Sequence, residues 1–307
     1  MHEDFLDIID YSPEELQALL NLAIHLKAEY FTGGNEPVLK GKTLAMIFQK
    51  PSLRTRVSFE MGMEHLGGHA MYLSPDEIGL GKRESVADVA RVLSGMVQGI
   101  EARVFSHQHV LELAQWASIP VINGLSDYSH PCQAMADALT IMEEFGTLKG
   151  VNVTYVGDGN NVAVSLMQIC AKLGANFTIA NPEGYSMPET AIETVRPIAM
   201  ESGSKLAFLT DPHEAVKAAQ VIYTDTWTSM GQEAETAKRE LVVPPYQVNT
   251  QLVSEAADDV IVLHCLPAHR NHELTDEVAD GPHSRIFPEA HNRLHAQKAV
   301  LYTLLKG

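Results

Sequence analysis

The sequence predicts an α/β protein of two domains, each a parallel sheet flanked by helices. Three observations carry this. The chain has 307 residues, enough for two domains of ordinary size. In both halves, short apolar runs bounded by Gly, Pro or polar residues alternate with segments of helical period. In the second half the alternation is strand–helix–strand, the βαβ pattern that calls for a parallel sheet. The stop at Gly146 divides the chain into a first domain, 1–145, and a second, 146–288.

The elements follow in order. Ser12-Pro13-Glu14-Glu15 is a capping box with Pro at the first helical position, and Leu16, Leu19, Leu20, Ala23 and Leu26 mark one helix face. Thr43 to Phe48 reads as a short buried strand. Behind it, Phe59, Met63 and Leu66 recur at helical spacing until Gly67-Gly68. Ser74 to Glu84 is a polar, Gly-bearing loop, either a mobile flap over an anion or a solvated surface loop. Ser85-Val86-Ala87-Asp88 starts a helix with Val89, Val92, Leu93 and Met96 on one face. Ala102 to Phe105 and Ile119 to Gly124 read as strands, and Pro131 opens a helix that Gly146 stops. Val151 to Val156, Phe177 to Ala180, Val221 to Thr224 and Val260 to Leu263 are the strands of the second half. A helix ends at Gly174, and Phe287-Pro288-Glu289 leads a C-terminal helix.

Composition bounds the function. Apolar content is 45% and charged content 20%, as in soluble globular proteins. The net charge of −17 argues against a nucleic-acid or anionic-membrane surface, so an anion site here must be a local basic pocket. Three widely spaced cysteines, Cys132, Cys170 and Cys265, imply no disulfide framework, and a reducing cytosol is the simplest compartment. No apolar run reaches membrane-spanning length, and the acidic N-terminus lacks a signal pattern.

The stretch Ser52-Leu53-Arg54-Thr55-Arg56 is the strongest chemical signal. It enters a helix, whose first-turn N–H groups lack partners and whose dipole is positive at that end. Two hydroxyls and two guanidiniums placed there make a phosphate cradle. Two arginines in a first turn are unfavourable unless an anion arrives; the bland alternative has Ser52 only capping and Arg56 pairing with Glu60. Arg103, in an otherwise apolar strand, needs a partner or points into a site. His130, before Pro131, is either a capping residue or a neutral donor to a carbonyl, with Gln133 one turn in.

Two motifs fail on their own terms. Gly41-Lys42-Thr43 precedes a strand instead of opening a helix, so it is no phosphate loop. Gly157-Asp158-Gly159-Asn160-Asn161-Val162 has Val in the place of a dinucleotide site's third Gly, and the following strand ends in Asn181-Pro182 without an acid. That turn still opens at the carboxyl edge of a parallel sheet, and strand ends bearing Asn161, Asp225 and Cys265 share that edge. An amide, an acid and a thiol suit a cationic amine. His264, Cys265, His269 and His272 could instead hold a metal, but they crowd one strand end and loop awkwardly for four-way ligation.

Taken together, these motifs resemble the aspartate/ornithine carbamoyltransferase family over nearly the whole chain. Ser52-Leu53-Arg54-Thr55-Arg56 is similar to the family's Ser-Thr-Arg-Thr-Arg, and His130-Pro131-Cys132-Gln133 to its His-Pro-x-Gln. Asp225 to Gly231 and His264 to Pro267 match the ornithine branch's Asp-x-Trp-x-Ser-Met-Gly and His-Cys-Leu-Pro. The resemblance implies that Ser52, Leu53 (through its amide), Arg54 and Thr55 bind the phosphate of carbamoyl phosphate. Arg103, His130 and Gln133 would hold its carbamoyl end, with Arg293 and the Cys265-Leu266 turn reaching the same ligand. Asn161, Asp225, Ser229 and Met230 would bind ornithine, and Arg103, His130 and Cys265 would be the catalytic set. It further implies that the C-terminal helix, 289–307, returns to the first domain. The expected activity is carbamoyl transfer to the δ-amine of ornithine, giving citrulline, in a cytoplasmic homotrimer with no metal or organic cofactor. Putrescine, N-acylornithine or aspartate as acceptor, or a non-catalytic binding protein, are the alternatives. Leu53 replaces the family's usual Thr, and Gly79 stands where relatives often carry Gln or His, so that Lys82 or Arg83 would contact a neighbouring subunit's phosphate.

Overall fold

A computed structural model describes residues 3–228 and 235–306, and they fall into two compact units, 1–139 with 291–307, and 140–290. The chain leaves the first unit inside one helix, Pro131–Phe145, and re-enters it inside another, Ile286–Leu305.

The first unit holds a four-stranded parallel sheet in the order β2-β1-β3-β4: β1 Thr43–Phe48, β2 His69–Leu73, β3 Gly99–Arg103 and β4 Val121–Leu125. Its helices are α1 Pro13–Thr32, α2 Leu53–His65, the short α3 Pro75–Ile78, α4 Val86–Ser94, α5 His107–Trp116 and the start of α6 Pro131–Phe145. The Ser12 capping box closes as the sequence predicts, with Glu15 N–H on Ser12 Oγ at 3.2 Å and Ser12 N–H on Glu15 Oε2 at 2.9 Å. β3 is buried throughout and β1 is buried beyond Thr43, as parallel strands covered on both faces must be. β1 has β2 on one side and β3 on the other, so the strand order reverses between β1 and β3. In open α/β sheets the crevice at such a point is where ligands bind.

The second unit repeats the scheme with five parallel strands in the order β7-β6-β5-β8-β9: β5 Asn152–Val156, β6 Asn176–Ala180, β7 Leu206–Leu209, β8 Val221–Thr224 and β9 Ile261–His264. Its helices are α7 Asn161–Leu173, α8 Glu189–Ser202, α9 Pro212–Ala215, α10 Thr236–Val242, α11 Thr250–Ser254, α12 Asp276–Ala279 and the opening turn of α13 Ile286–Leu305. α7 is buried along nearly its whole length, which explains why its sequence is apolar all round. Here the order reverses between β5 and β8.

Several expectations are corrected. β2, β7, α5 and α8 are elements that the sequence reading does not name, although Gly67-Gly68 precede β2 and Gly203 caps α8. The 74–84 loop contains α3, which Ser74 and Glu77 close with a capping box. In α4 the buried face is Val86, Val89 and Ala90, whereas Val92 is 52% exposed and Met96, beyond the helix end, is 73% exposed. The expected face, Val89, Val92, Leu93 and Met96, is thus turned at Val92 and carried past Gly95, which caps the helix.

Candidate functional site

The first half-site lies at the carboxyl ends of β1 and β3. Ser52 is the N-cap of α2, in extended conformation, and its Oγ accepts from Thr55 N–H at 3.3 Å. Thr55 is fully buried, and its hydroxyl oxygen accepts from Arg293 Nη2 at 3.1 Å and Arg103 Nη1 at 3.4 Å. Arg293, only 2% exposed, also donates from Nη1 to Gln133 Oε1 at 2.8 Å and from Nε to Gln297 Oε1 at 2.8 Å. Gln133 and Gln297 are themselves fixed, to Asp137 and Ser58. One buried network thus joins Thr55, Arg103, Gln133 and Arg293, four residues that the sequence singles out from four separate elements.

His130 is 4% exposed. Burial first, then the guanidiniums of Arg293, Arg103 and Arg54, hold its pKa well below the usual histidine range. It is therefore a neutral imidazole, able to donate to a carbonyl oxygen, as its place before α6 suggests. Arg56 is corrected: its Nε pairs with Glu60 at 2.9 Å and its guanidinium lies 4.1 Å from the Tyr72 ring centroid. Of the two first-turn arginines, Arg56 is committed to the helix surface, which leaves Arg54 as the candidate. The Leu53 side chain is 72% exposed, so nothing but its amide is placed for a ligand. Lys50, which sequence reasoning missed, is buried two residues before the cap, its ammonium 4.5 Å from the Phe105 ring centroid.

The second half-site is built around Asp225, just beyond β8. One carboxylate oxygen accepts from Thr226 N–H at 2.7 Å and from the Cys265 thiol at 2.9 Å; the other accepts from Asn160 Nδ2 at 2.8 Å. Asn160 is also the N-cap of α7, its Oδ1 accepting from Val162 and Ala163 N–H. The sequence reading names Asn161; the residue bonded to Asp225 is its neighbour Asn160, which went unnamed and whose place just before the first helical position is the cap signal that could have found it. Asp158, in the same turn, is bound by the buried Arg239 guanidinium, which also donates to Trp227 O at 2.9 Å. A Cβ on Gly159 would come 2.4 Å from Met187 N, so this glycine serves close backbone packing. Ser229 and Met230 lie outside the described residues.

Leu266, beyond Cys265, holds a left-handed φ of +57°, a conformation costly for a branched side chain. Its N–H donates to His264 Nδ1 at 2.8 Å, and His264 Nε2 faces Glu273 Oε1 at 3.2 Å. The ring is therefore the Nε2–H tautomer, and it helps fix the turn. Donor atoms of Asp225, His264 and Cys265 lie within 4.8 Å of one another. A metal there would have to break His264 from Leu266 or Glu273, because both ring nitrogens are engaged. His269 and His272 are not part of that group: His269 bonds Thr226 and Glu273 holds its backbone N–H.

Chemically, the first half-site offers buried guanidiniums, a neutral imidazole and a helix N-terminus, a set suited to a phosphate dianion bearing a carbonyl. The second offers a fixed carboxylate beside a thiol, a set suited to an amine. Comparisons with known proteins agree. Residues 3–143 match the model of the aspartate/ornithine carbamoyltransferase carbamoyl-P binding domain, and residues 149–304 that of the Asp/Orn binding domain. The chain is 56% identical over 304 residues to an ornithine carbamoyltransferase of Pyrococcus abyssi, covering 99% of this chain and 96% of the relative. It is 55% identical to that of Bacillus subtilis, covering 99% and 94%. The solved ornithine carbamoyltransferase of Pyrococcus furiosus superposes with a TM-score of 0.97 at 54% identity, covering 99% of this chain and 97% of that one. That of Thermus thermophilus does so with a TM-score of 0.89 at 46% identity, covering 99% of each. The chain belongs to the aspartate/ornithine carbamoyltransferase family.

Proposed function

We infer that the protein is a transferase that moves the carbamoyl group of carbamoyl phosphate to the δ-amine of L-ornithine, giving L-citrulline and phosphate. The observation that carries the choice of acceptor is the Asp225–Cys265 pair, with the thiol donating to the carboxylate at 2.9 Å. A carboxylate fixed by three donors attracts an amine and repels the carboxylates of aspartate. The names of the relatives point the same way.

In this reading Ser52, Arg54, Thr55 and the Leu53 amide hold the phosphate, whose negative charge grows as it leaves. Arg103 and His130 donate to the carbamoyl oxygen, with Gln133 and Arg293 framing the same end. A neutral His130 polarises the carbonyl without spending charge on the phosphate. Fixed donors aimed at developing charge are usually the largest catalytic contribution in acyl transfer. Asn161, Asp225, Ser229 and Met230 receive ornithine, and Cys265 and Leu266 border the attacking nitrogen. The neutral δ-amine attacks the carbamoyl carbon, the C–O bond to phosphate breaks, and the amine's extra proton leaves with phosphate or solvent. The family's chemistry needs no metal or organic cofactor for these steps.

We also place the enzyme in the cytoplasm, as a homotrimer in which the 74–84 loop of one subunit reaches a neighbour's phosphate. No helix among the described residues is long and apolar enough to cross a membrane. Of the loop's two basic residues, Arg83 donates to Glu77 O within its own loop, so Lys82 is the better reach for that phosphate. The test is citrulline formation from carbamoyl phosphate with ornithine, putrescine, aspartate and N-acetylornithine offered in turn. Turnover with ornithine at least a hundredfold above the others is expected; preference for any other acceptor would refute the reading.

A further inference from the structure

Glu101 has no part in the reaction above, yet it lies in the middle of β3, two residues before Arg103. Parallel register sets it between Met46 of β1 and Ile122 of β4. Residues i and i+2 of a strand share a face, so Glu101 and Arg103 project from the same side of the sheet. The register between β3 and β4 shifts there: Ala102 opposes Asn123, but Arg103 opposes Leu125, leaving Gly124 bulged out of the pairing. Glu101 Oε1 lies 1.7 Å from where a Cβ on Gly124 would be. A bulge and a missing side chain together therefore make the space that the carboxyl fills.

That carboxyl is fully buried, and neither oxygen has a hydrogen-bond partner among the described residues. A buried polar group without a partner is costly, and a buried charge far more so. The titratable or charged groups acting on it are Arg103 from its own strand, Arg293 from α13, and Cys132 from α6; β1 and β4 bring none. Cys132 is itself pushed up to about 12 by burial and stays a neutral thiol. Burial raises the Glu101 pKa well above the carboxylate range, against the pull of the two guanidiniums.

We propose that Glu101 is a positioning residue of the carbamoyl phosphate site: seated in the Gly124 bulge behind Arg103 and Arg293, it is an internal counter-charge that sets how strongly those guanidiniums hold the phosphate. The proposal rests on the function inferred above. With a proton on Glu101, no internal carboxylate offsets the charge of the two guanidiniums. With the proton removed, the carboxylate offsets part of their charge from inside. Coupling between two sites is reciprocal, so phosphate binding must favour the proton on Glu101 by the same factor by which that proton favours phosphate binding.

The test is calorimetric titration of carbamoyl phosphate between pH 7 and 9.5, in buffers of different ionisation enthalpy, on the wild type and on Glu101→Gln. Gln keeps the shape and cannot ionise. The wild type is expected to take up protons on binding and to lose at least fivefold more affinity than Glu101→Gln across that range. Should Glu101→Gln not fold, Glu101→Met serves in the same comparison, and wild-type proton uptake needs no variant. Normal wild-type binding at pH 7, with no proton uptake at alkaline pH or with pH profiles that match the Gln variant within twofold, would overturn this inference alone. No saturable binding by the wild type at pH 7 would overturn the proposed function, and the inference with it.

Discussion

Asp225→Asn is the most informative single change, because the bonds around Asp225 leave an amide no comfortable orientation. If the new NH2 group replaces the oxygen facing Asn160, it meets another NH2. Asn160 cannot turn over to accept it without pulling its own oxygen off Val162 and Ala163 N–H and uncapping α7. If the NH2 group replaces the other oxygen, it meets the Thr226 N–H and the Cys265 thiol. One buried donor is left facing a donor either way, which costs about 1–3 kcal/mol of stability. The lost charge costs more in function: at about 4 Å and an effective dielectric of about 20, one unit pair is worth about 4 kcal/mol. The value of kcat/KM for ornithine should therefore fall roughly 10³-fold, since about 1.4 kcal/mol is tenfold. The affinity for carbamoyl phosphate should stay within twofold, because of the residues assigned to it Asp225 bonds only Cys265. Steady-state kinetics with ornithine reads this out. Less than a tenfold loss in kcat/KM would refute the amine assignment.

Three further outcomes follow from the same geometry. Arg54→Ala should lower turnover per carbamoyl phosphate at least tenfold, since a charge-assisted bond to the leaving group is worth about 1.5–3 kcal/mol; near-normal rate and phosphate affinity would remove Arg54 from the cradle. Cys265→Ser should weaken ornithine binding and lower turnover modestly, because a thiol that donates to Asp225 is protonated and aligns the amine; a loss of about 10⁴-fold with ornithine binding intact would make Cys265 the base instead. The third concerns acid. Burial first, then the positive charge of Lys298 and its neighbours, lowers His295 to about 3, so below the unfolded value of about 6.5 the unfolded chain binds a proton that the folded chain refuses. Stability is then complete above about pH 6.5 and is lost as pH falls toward 3, by about 1.4 kcal/mol per pH unit from this residue. Between pH 6.5 and 5 that is about 2 kcal/mol, and thermal unfolding of His295→Gln should lack it; equal slopes in both proteins would refute the assignment.

What the sequence made legible depended on punctuation. Strands bounded by polar residues or Gly, such as Thr43–Phe48 and Val221–Thr224, have the limits that their apolar runs suggest. β2 and β7 are short edge strands whose residues are only partly covered, so their composition does not announce a buried run. In α4, periodicity alone extended the apolar face to Met96, and Gly95 overrules it. Secondary structure followed local chemistry closely where caps and glycines stood at the ends. It departed where tertiary exposure decided which side of a helix was covered.

The site was legible to a different depth. Residue type and spacing pointed to Ser52, Arg54, Thr55, Arg103, His130, Gln133, Asp225 and Cys265, because a guanidinium in an apolar strand or an acid at a strand end is costly without a use. Spacing could not say which of two neighbouring groups turns inward. Arg56 was a cradle candidate until its partners, Glu60 and Tyr72, placed it on the surface, and Asn160, which holds Asp225, went unnamed beside Asn161. Glu101 was invisible for a further reason. An acid inside an apolar strand is as conspicuous as Arg103, two residues on, but nothing local shows that a bulge at Gly124 makes room for its carboxyl. Arginine can be read as functional from type alone because it is charged under all conditions and must be paired. A buried glutamate can pay its desolvation by keeping a proton, so its role depends on which charges surround it. Those charges, on Arg103 and Arg293, lie 190 residues apart in the chain and meet only in the folded unit.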